Sequence, residues 1–226
     1  MQPIAQAMQR TIWRSRTPRS IIARMINARV ILLAVTFLMS VLWTPYFGQN
    51  AKPQASGPEY TSDGQLKLPE QYREWVYLTT GFDMSYSPNA MQMGHHMFDN
   101  VFVSPEAYKV FVETGTWPDK TMMVLEGRAA VGKGSINQAG NYQSTEIHGL
   151  EVHVKDARFP GQWAFFMFMD GKTAKMIPQT ESCYSCHSDH GAVDTTFVQF
   201  YPTLLPVAKS KGTLAAAYLK EVAAQK

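Results

Sequence analysis

The sequence predicts an α+β domain in which a mainly antiparallel β-sheet is flanked by helices. Three observations carry that expectation. Strand-length segments succeed one another between residues 76 and 170. One of them, "LEVHVKD" (150–156), alternates strictly, with Leu150, Val152 and Val154 on one face and Glu151, His153 and Lys155 on the other. Helical spacing is confined to the stretches before and after this run and to one insertion at 105–115.

Residues 1–47 come first. They hold Arg10, Arg14, Arg16, Arg19, Arg24 and Arg29 without an acid, and then "VILLAVTFLMSVLW" (30–43), which has no charge. A positive segment followed by an apolar run too short to span a bilayer comfortably is the layout of an export signal. Ala51 and Ala55 are poor cleavage ends, so an uncleaved N-terminal membrane anchor stays open. Either way the body is expected outside the cytoplasm, in the periplasm. Residues 48–65, rich in Gly, Pro, Ser, Asn and Gln, read as a linker, and 66–226 as the folded domain.

Within the domain, "LPEQYREW" (68–75) reads as a short helix opened by Pro69, and "VYLTTGF" (76–82) and "MFDNVFVS" (97–104) read as strands. "PEAYKVFVETG" (105–115) has Pro105 in a first-turn position and Gly115 at a C-cap, which predicts a helix between them. "TMMVLEGRA" (121–129), "YQSTEIHGLEVHVKD" (142–156) and "WAFFMFMD" (163–170) complete the meander. Val193, Phe197, Phe200, Tyr201 and Leu204 fall at helical spacing, with Pro202 set to stop or bend that helix. A last helix is expected over 212–225, its apolar face made by Leu214, Tyr218, Leu219 and Val222.

The two cysteines of the chain, Cys183 and Cys186, lie in "CYSCH" with His187 directly after. Structural zinc needs four ligands and there is no second cysteine pair. A redox disulfide needs no adjacent histidine. A structural disulfide closing so short a loop constrains little of the unfolded chain. Covalent haem c attachment uses every part of the motif: two thiols add to the two vinyl groups of one porphyrin, and His187 is placed to ligate iron as the proximal ligand. Haem is the favoured reading, with zinc and a disulfide as the alternatives. The vacancy or filling of the sixth iron position then separates ligand binding or catalysis from simple electron transfer with a Met ligand.

Together "LPEQYREW" (68–75), "NVFVSPEAYKVFVETGTWPDKT" (100–121), "GLEVHVKDARFPGQWAFFMF" (149–168) and "CYSCH…FVQFYPTLL" (183–205) resemble the cytochrome P460 family. The resemblance implies an antiparallel sheet with helices, commonly a homodimer, and one c-type haem with an open distal face. Members that oxidise hydroxylamine carry a lysine, bonded to the porphyrin, where this chain has Leu125, and an arginine near the position of Asp99. The departure at Leu125 points to the relatives without that bond, the cytochromes c′-β, whose apolar distal pocket binds nitric oxide or carbon monoxide. Lys133, eight residues beyond Leu125, is not expected to substitute. The resemblance thus implies a binder of small nitrogen oxides or other diatomics. Its rival is a haem oxidoreductase acting on hydroxylamine or a similar compound, with a cytochrome as redox partner.

The remaining candidates are weaker. "MQMGHHMFDN" (91–100) gathers Met91, Met93, Met97, His95 and His96, a copper(I) donor set whose plainer reading is packing over haem or core; His95 or His96 could instead line the distal pocket. His190, His148 and His153 are expected at the surface. Glu126 should face away from Leu125 unless a bulge turns it inward. Trp163, Phe165, Phe166 and Phe168 are expected in the core, with Phe165 or Phe166 able to cap a dry distal pocket. Removing the six N-terminal arginines leaves 15 Lys and Arg against 18 Asp and Glu, so the body is near −3 and carries no basic footprint for nucleic acid.

Overall fold

The structure, a computed structural model, describes residues 57–86, 96–169 and 171–225. The expected signal or anchor and residues 48–56 of the expected linker lie outside the described residues, as do Met91, Met93 and His95. No helix among the described residues is long and apolar enough to cross a membrane.

The centre is a five-stranded antiparallel sheet of order β2-β3-β4-β5-β6. It is built from β2 (Val76–Phe82), β3 (Met97–Val103), β4 (Met122–Gly134), β5 (Asn137–Lys155) and β6 (Trp163–Met167). A two-stranded sheet pairs β1 (Leu66–Lys67) with β7 (Thr173–Ala174). Among the described residues the α-helices are α1 (Pro105–Thr114), α2 (Ser182–His190), α3 (Leu205–Lys211) and α4 (Ala216–Ala224). This is the α+β architecture the sequence predicts. β4 and β5 outrun the prediction, continuing into a hairpin closed around residues 134–137.

Because side chains alternate across a strand, the two faces of this sheet build two separate cores, with β4 and β6 feeding both. One contains Met123 of β4, Phe165 of β6, Phe111 of α1 and, from the C-terminal region, Val193, Val198 and Leu204. The other contains Met122 and Val124, Val152 and Val154, and Phe166, covered by Leu66, Tyr72 and Trp75 from the segment before β2. Full burial of one such side chain, Phe111 for example, contributes roughly 2–3 kcal/mol. Tyr60 packs on Phe166 with ring centroids 6.3 Å apart, so residues 57–65 are tied to this second core although their composition reads as linker.

Helix α1 follows its sequence signals. Pro105 opens it, and Gly115 ends it at φ 80 with its N–H donating to Phe111 O at 2.7 Å. A Cβ on Gly115 would stand 2.7 Å from Lys211 Cβ, so glycine also lets α3 approach. Three local expectations are corrected. Residues 68–75 form only a 3₁₀ turn at Tyr72–Glu74. The apolar spacing after the cysteines is split between a Val193–Thr196 bridge, a 3₁₀ turn at Val198–Phe200 and α3, because the chain reverses at 194–195, Pro202 stops the turn, and Pro206 opens α3 as a separate helix. Leu219 of α4 is half exposed, whereas Leu214 and Tyr218 pack on the core.

Candidate haem site

Helix α2 carries Cys183, Cys186 and His187 at i, i+3 and i+4, one face of a helix. Both thiols are free and half-buried. Burial, then the nearby Asp189, pushes the Cys186 thiol up from its ordinary value. The helix is moored to β6 by Tyr184, whose hydroxyl donates to Ile177 O at 2.9 Å and accepts from Phe165 N–H at 3.1 Å. Its ring stacks on Phe165 with centroids 4.4 Å apart.

His187 is held at its other end. Its Nδ1–H donates to the carbonyl of Thr195 at 2.8 Å, which fixes the tautomer and leaves Nε2 bare. Burial, reinforced by His153, lowers its pKa to about 4, so the imidazole is neutral at neutral pH, the form a metal takes up. The Thr195 carbonyl is aimed by a tight turn over Val193–Thr196, in which Val193 and Thr196 pair and Asp194 and Thr195 both have positive φ, 48 and 60. Asp194 pins the turn: its Oδ2 accepts from Trp117 N–H at 2.9 Å and from Lys155 Nζ at 3.0 Å. Gly191 makes the approach possible, since a Cβ there would lie 2.6 Å from both His187 O and Thr195 C.

Next to His187 is a cavity of about 310 Å³. Its sheet wall is made by Asp99 and Val101 of β3, Met123 and Leu125 of β4, and Glu151 and His153 of β5. Phe197, Phe200 and Tyr201 line the cavity together with His187, and Met84 and Tyr86 on the chain after β2 add to the lining. The His187 ring lies 4.3 Å from Phe197, 4.7 Å from Phe165 and 5.0 Å from His153 between centroids. Glu151 is paired with His153, Nε2 to Oε2 3.6 Å, and that contact holds its carboxyl below the usual range. Asp99 goes the other way: burial first, then Glu151 and Asp83, raises its pKa.

The structure brings some expected residues together and parts others. Leu125 and Asp99 both line the cavity. His153 does not sit at the surface: the polar face of "LEVHVKD" turns toward the cavity, where the ring stacks near Phe165 at 4.2 Å. The cavity beside His187 therefore has a mixed lining, with the two carboxylates and the His153 imidazole set among apolar side chains. Phe165 and Phe166 do not cap this cavity, because Phe165 packs behind His187 and Tyr184 while Phe166 points into the other core. His96 is exposed and pairs with Asp83 at 2.5 Å, away from the lining. Lys133 is exposed on the β4–β5 hairpin. His148 is exposed, and His190, also exposed, contacts Glu221 of α4 at 3.0 Å.

Glu126 points to the opposite face, as the alternation predicts. There it is buried and accepts from Tyr72 Oη, Arg73 and Arg128. Sequence reasoning passed over Gly191, Asp194 and Thr195. Only the spacing of a glycine four residues after His187, with polar residues following, hinted at a turn returning to the histidine.

The donor set fits haem. Two free thiols and a bare imidazole nitrogen share one helix face beside a cavity, and no group of three or more His, Cys, Asp or Glu side chains arranged for a metal ion occurs among the described residues. Sheet, helix and cavity thus fit the class of haem-binding proteins. The family model described as Cytochrome P460 matches residues 69–198, more than half of the chain. The chain belongs to the cytochrome P460 family, and haem c is the cofactor that family binds. No curated protein matches the chain significantly.

Proposed function

We propose that this chain is a mono-haem cytochrome, exported and either soluble or tethered by its N-terminal segment, that binds small nitrogen oxides such as nitric oxide, or carbon monoxide. Cys183 and Cys186 would form the two thioethers, and His187 would be the proximal iron ligand. The observation that carries the reading is the His187 geometry: a neutral imidazole fixed through Nδ1 with its free nitrogen beside a cavity. The haem would supply an iron able to take up a small ligand. The chain's own residues fix the imidazole, surround the ligand and set the charge it meets. A homodimer and a cytochrome redox partner belong to the same proposal.

The alternative, oxidation of hydroxylamine or a similar compound, is favoured by one observation: Asp99 and Glu151 put hydrogen-bond acceptors in the cavity wall, which suit a ligand bearing N–H or O–H groups. A simple electron-transfer cytochrome would need a Met sixth ligand, and Met84 and Met123 are the methionines of the lining.

Absorption spectra of purified protein, oxidised and reduced, with and without nitric oxide, test these readings together. A high-spin ferric spectrum and rapid uptake of nitric oxide or carbon monoxide by the reduced protein are expected. A low-spin spectrum with a methionine-to-iron band overturns the open site. Mass spectra of digested protein showing a lysine joined to the porphyrin revive the oxidase reading.

A further inference from the structure

We propose that Asp99 is a specificity-determining residue of the cavity, a carboxylate in its wall without a partner among the described residues, which excludes anionic ligands and keeps the site for neutral or cationic small molecules. The inference rests on the haem reading above and narrows the ligands of that same site.

The observation is a contrast in partners. Among the described residues no hydrogen bond or ion pair is made by the Asp99 carboxylate, although the residue is partly buried and lines the cavity. Its register partner on β4 is Gly127, and a Cβ built there would lie 3.5 Å from Asp99 Oδ1. The carboxyl therefore extends over the glycine toward β5, where Glu151 adds a second acid to the same wall. Two carboxylates facing one small cavity raise its negative potential, and low-dielectric walls strengthen the effect.

Nothing cationic in the lining offsets them permanently. Among the described residues no lysine or arginine lines the cavity, and Arg128, on the neighbouring strand, is spent on Glu126 and on the carbonyls of Ser144 and Thr145. The groups that face Asp99 are Glu151 with its His153 partner, Asp83 with its His96 partner, the Tyr86 phenol and His187. Burial and these acids push Asp99 up from its ordinary value, the response of a carboxylate lacking a compensating donor. An anion entering this space meets like charge, whereas a neutral diatomic meets none and a donor-bearing molecule finds an acceptor.

The test is equilibrium titration of the haem-loaded protein, followed by absorption. Ferric wild type, Asp99→Asn and Glu151→Gln are titrated with azide as the anionic probe, and the reduced forms with carbon monoxide as the neutral one. The expected result is azide binding about tenfold tighter in Asp99→Asn, a smaller gain in Glu151→Gln, and in both a gain for azide that clearly exceeds any change in carbon monoxide affinity. Asp99→Glu, which keeps the charge, should retain exclusion. The reduction potential of the haem should rise in Asp99→Asn, since a nearby anion favours the ferric state.

Wild-type azide affinity and potential in the two neutralised variants, with haem content intact, overturn the exclusion while leaving the haem reading standing. Protein that carries no haem after expression with cytochrome c maturation overturns the haem reading itself, and this inference falls with it.

Discussion

The two faces of one sheet treat the same chemical group in opposite ways. On the face covered by the segment before β2, Glu126 is 3% exposed and has three partners, Tyr72, Arg73 and Arg128. Their contacts outweigh the desolvation and keep its carboxyl below the ordinary range. Asp156, fully buried at the end of β5, is served in the same way by Arg158 and by Lys120 at 2.6 Å. On the face turned to His187, Asp99 has no such partner among the described residues and Glu151 has one long contact with His153. A buried acid with its bonds complete holds the fold together, and one left incomplete beside a cavity is available to a ligand.

The largest expected effect would break the comparison at its root. Replacing both Cys183 and Cys186 by serine should abolish haem retained on a denaturing gel while circular dichroism stays native-like, because neither thiol takes part in the main-chain ladders of the sheet. Haem that stays bound through denaturation in that variant would refute the role given to α2. Next in size, Glu126→Ala should lower stability by about 3 kcal/mol, since it strands Tyr72 and Arg128. Carbon monoxide affinity should not move. On the cavity face, Glu151→Gln should change stability by no more than about 1 kcal/mol, as its single contact is weak. Urea unfolding of the two variants side by side measures the asymmetry; equal losses would erase it.

Gly191→Ala sharpens the comparison within the site. The added methyl must push back either His187 O or the Thr195 backbone, at a cost of about 1–3 kcal/mol. It should also lengthen the bond from Nδ1 to the Thr195 carbonyl. A shift in the iron–histidine stretching frequency, seen by resonance Raman, separates this from a loss of stability alone.

How much of the molecule is legible in its sequence depends on how locally each feature is encoded. The strand alternation of 150–155 and the Pro105 and Gly115 caps are written in neighbouring residues, and β2, β5's alternating end and α1 stand where those signals put them. The pairing of Cys183, Cys186 and His187 on one helix face is local too. Which face of "LEVHVKD" meets solvent is not local: polarity argued for His153 outside, but α2 and the 193–201 segment cover that face and turn it into cavity wall. Likewise Asp194 is fixed by Trp117 and Lys155, residues distant in the chain, so no window around the cysteines could show that it aims Thr195 at His187.

The smallest expected effect asks whether pH distinguishes the two faces. For Asp156 the folded carboxyl titrates below its unfolded value of about 3.9. Its stabilisation is therefore complete above that value and is lost as pH falls through the lower folded one. Asp99 has the reverse sign. Its folded pKa is raised, so ionisation disfavours folding at neutral pH, and the penalty disappears once both states are protonated in acid. Asp99→Asn should accordingly raise the melting temperature slightly at pH 7 and lose that gain below about pH 4. Asp156→Asn should lower it at pH 7, with the deficit shrinking in acid. Thermal melts of the two variants against pH should thus approach wild type from opposite sides, and melts that approach it from the same side would show that Asp99 is as well partnered as Asp156.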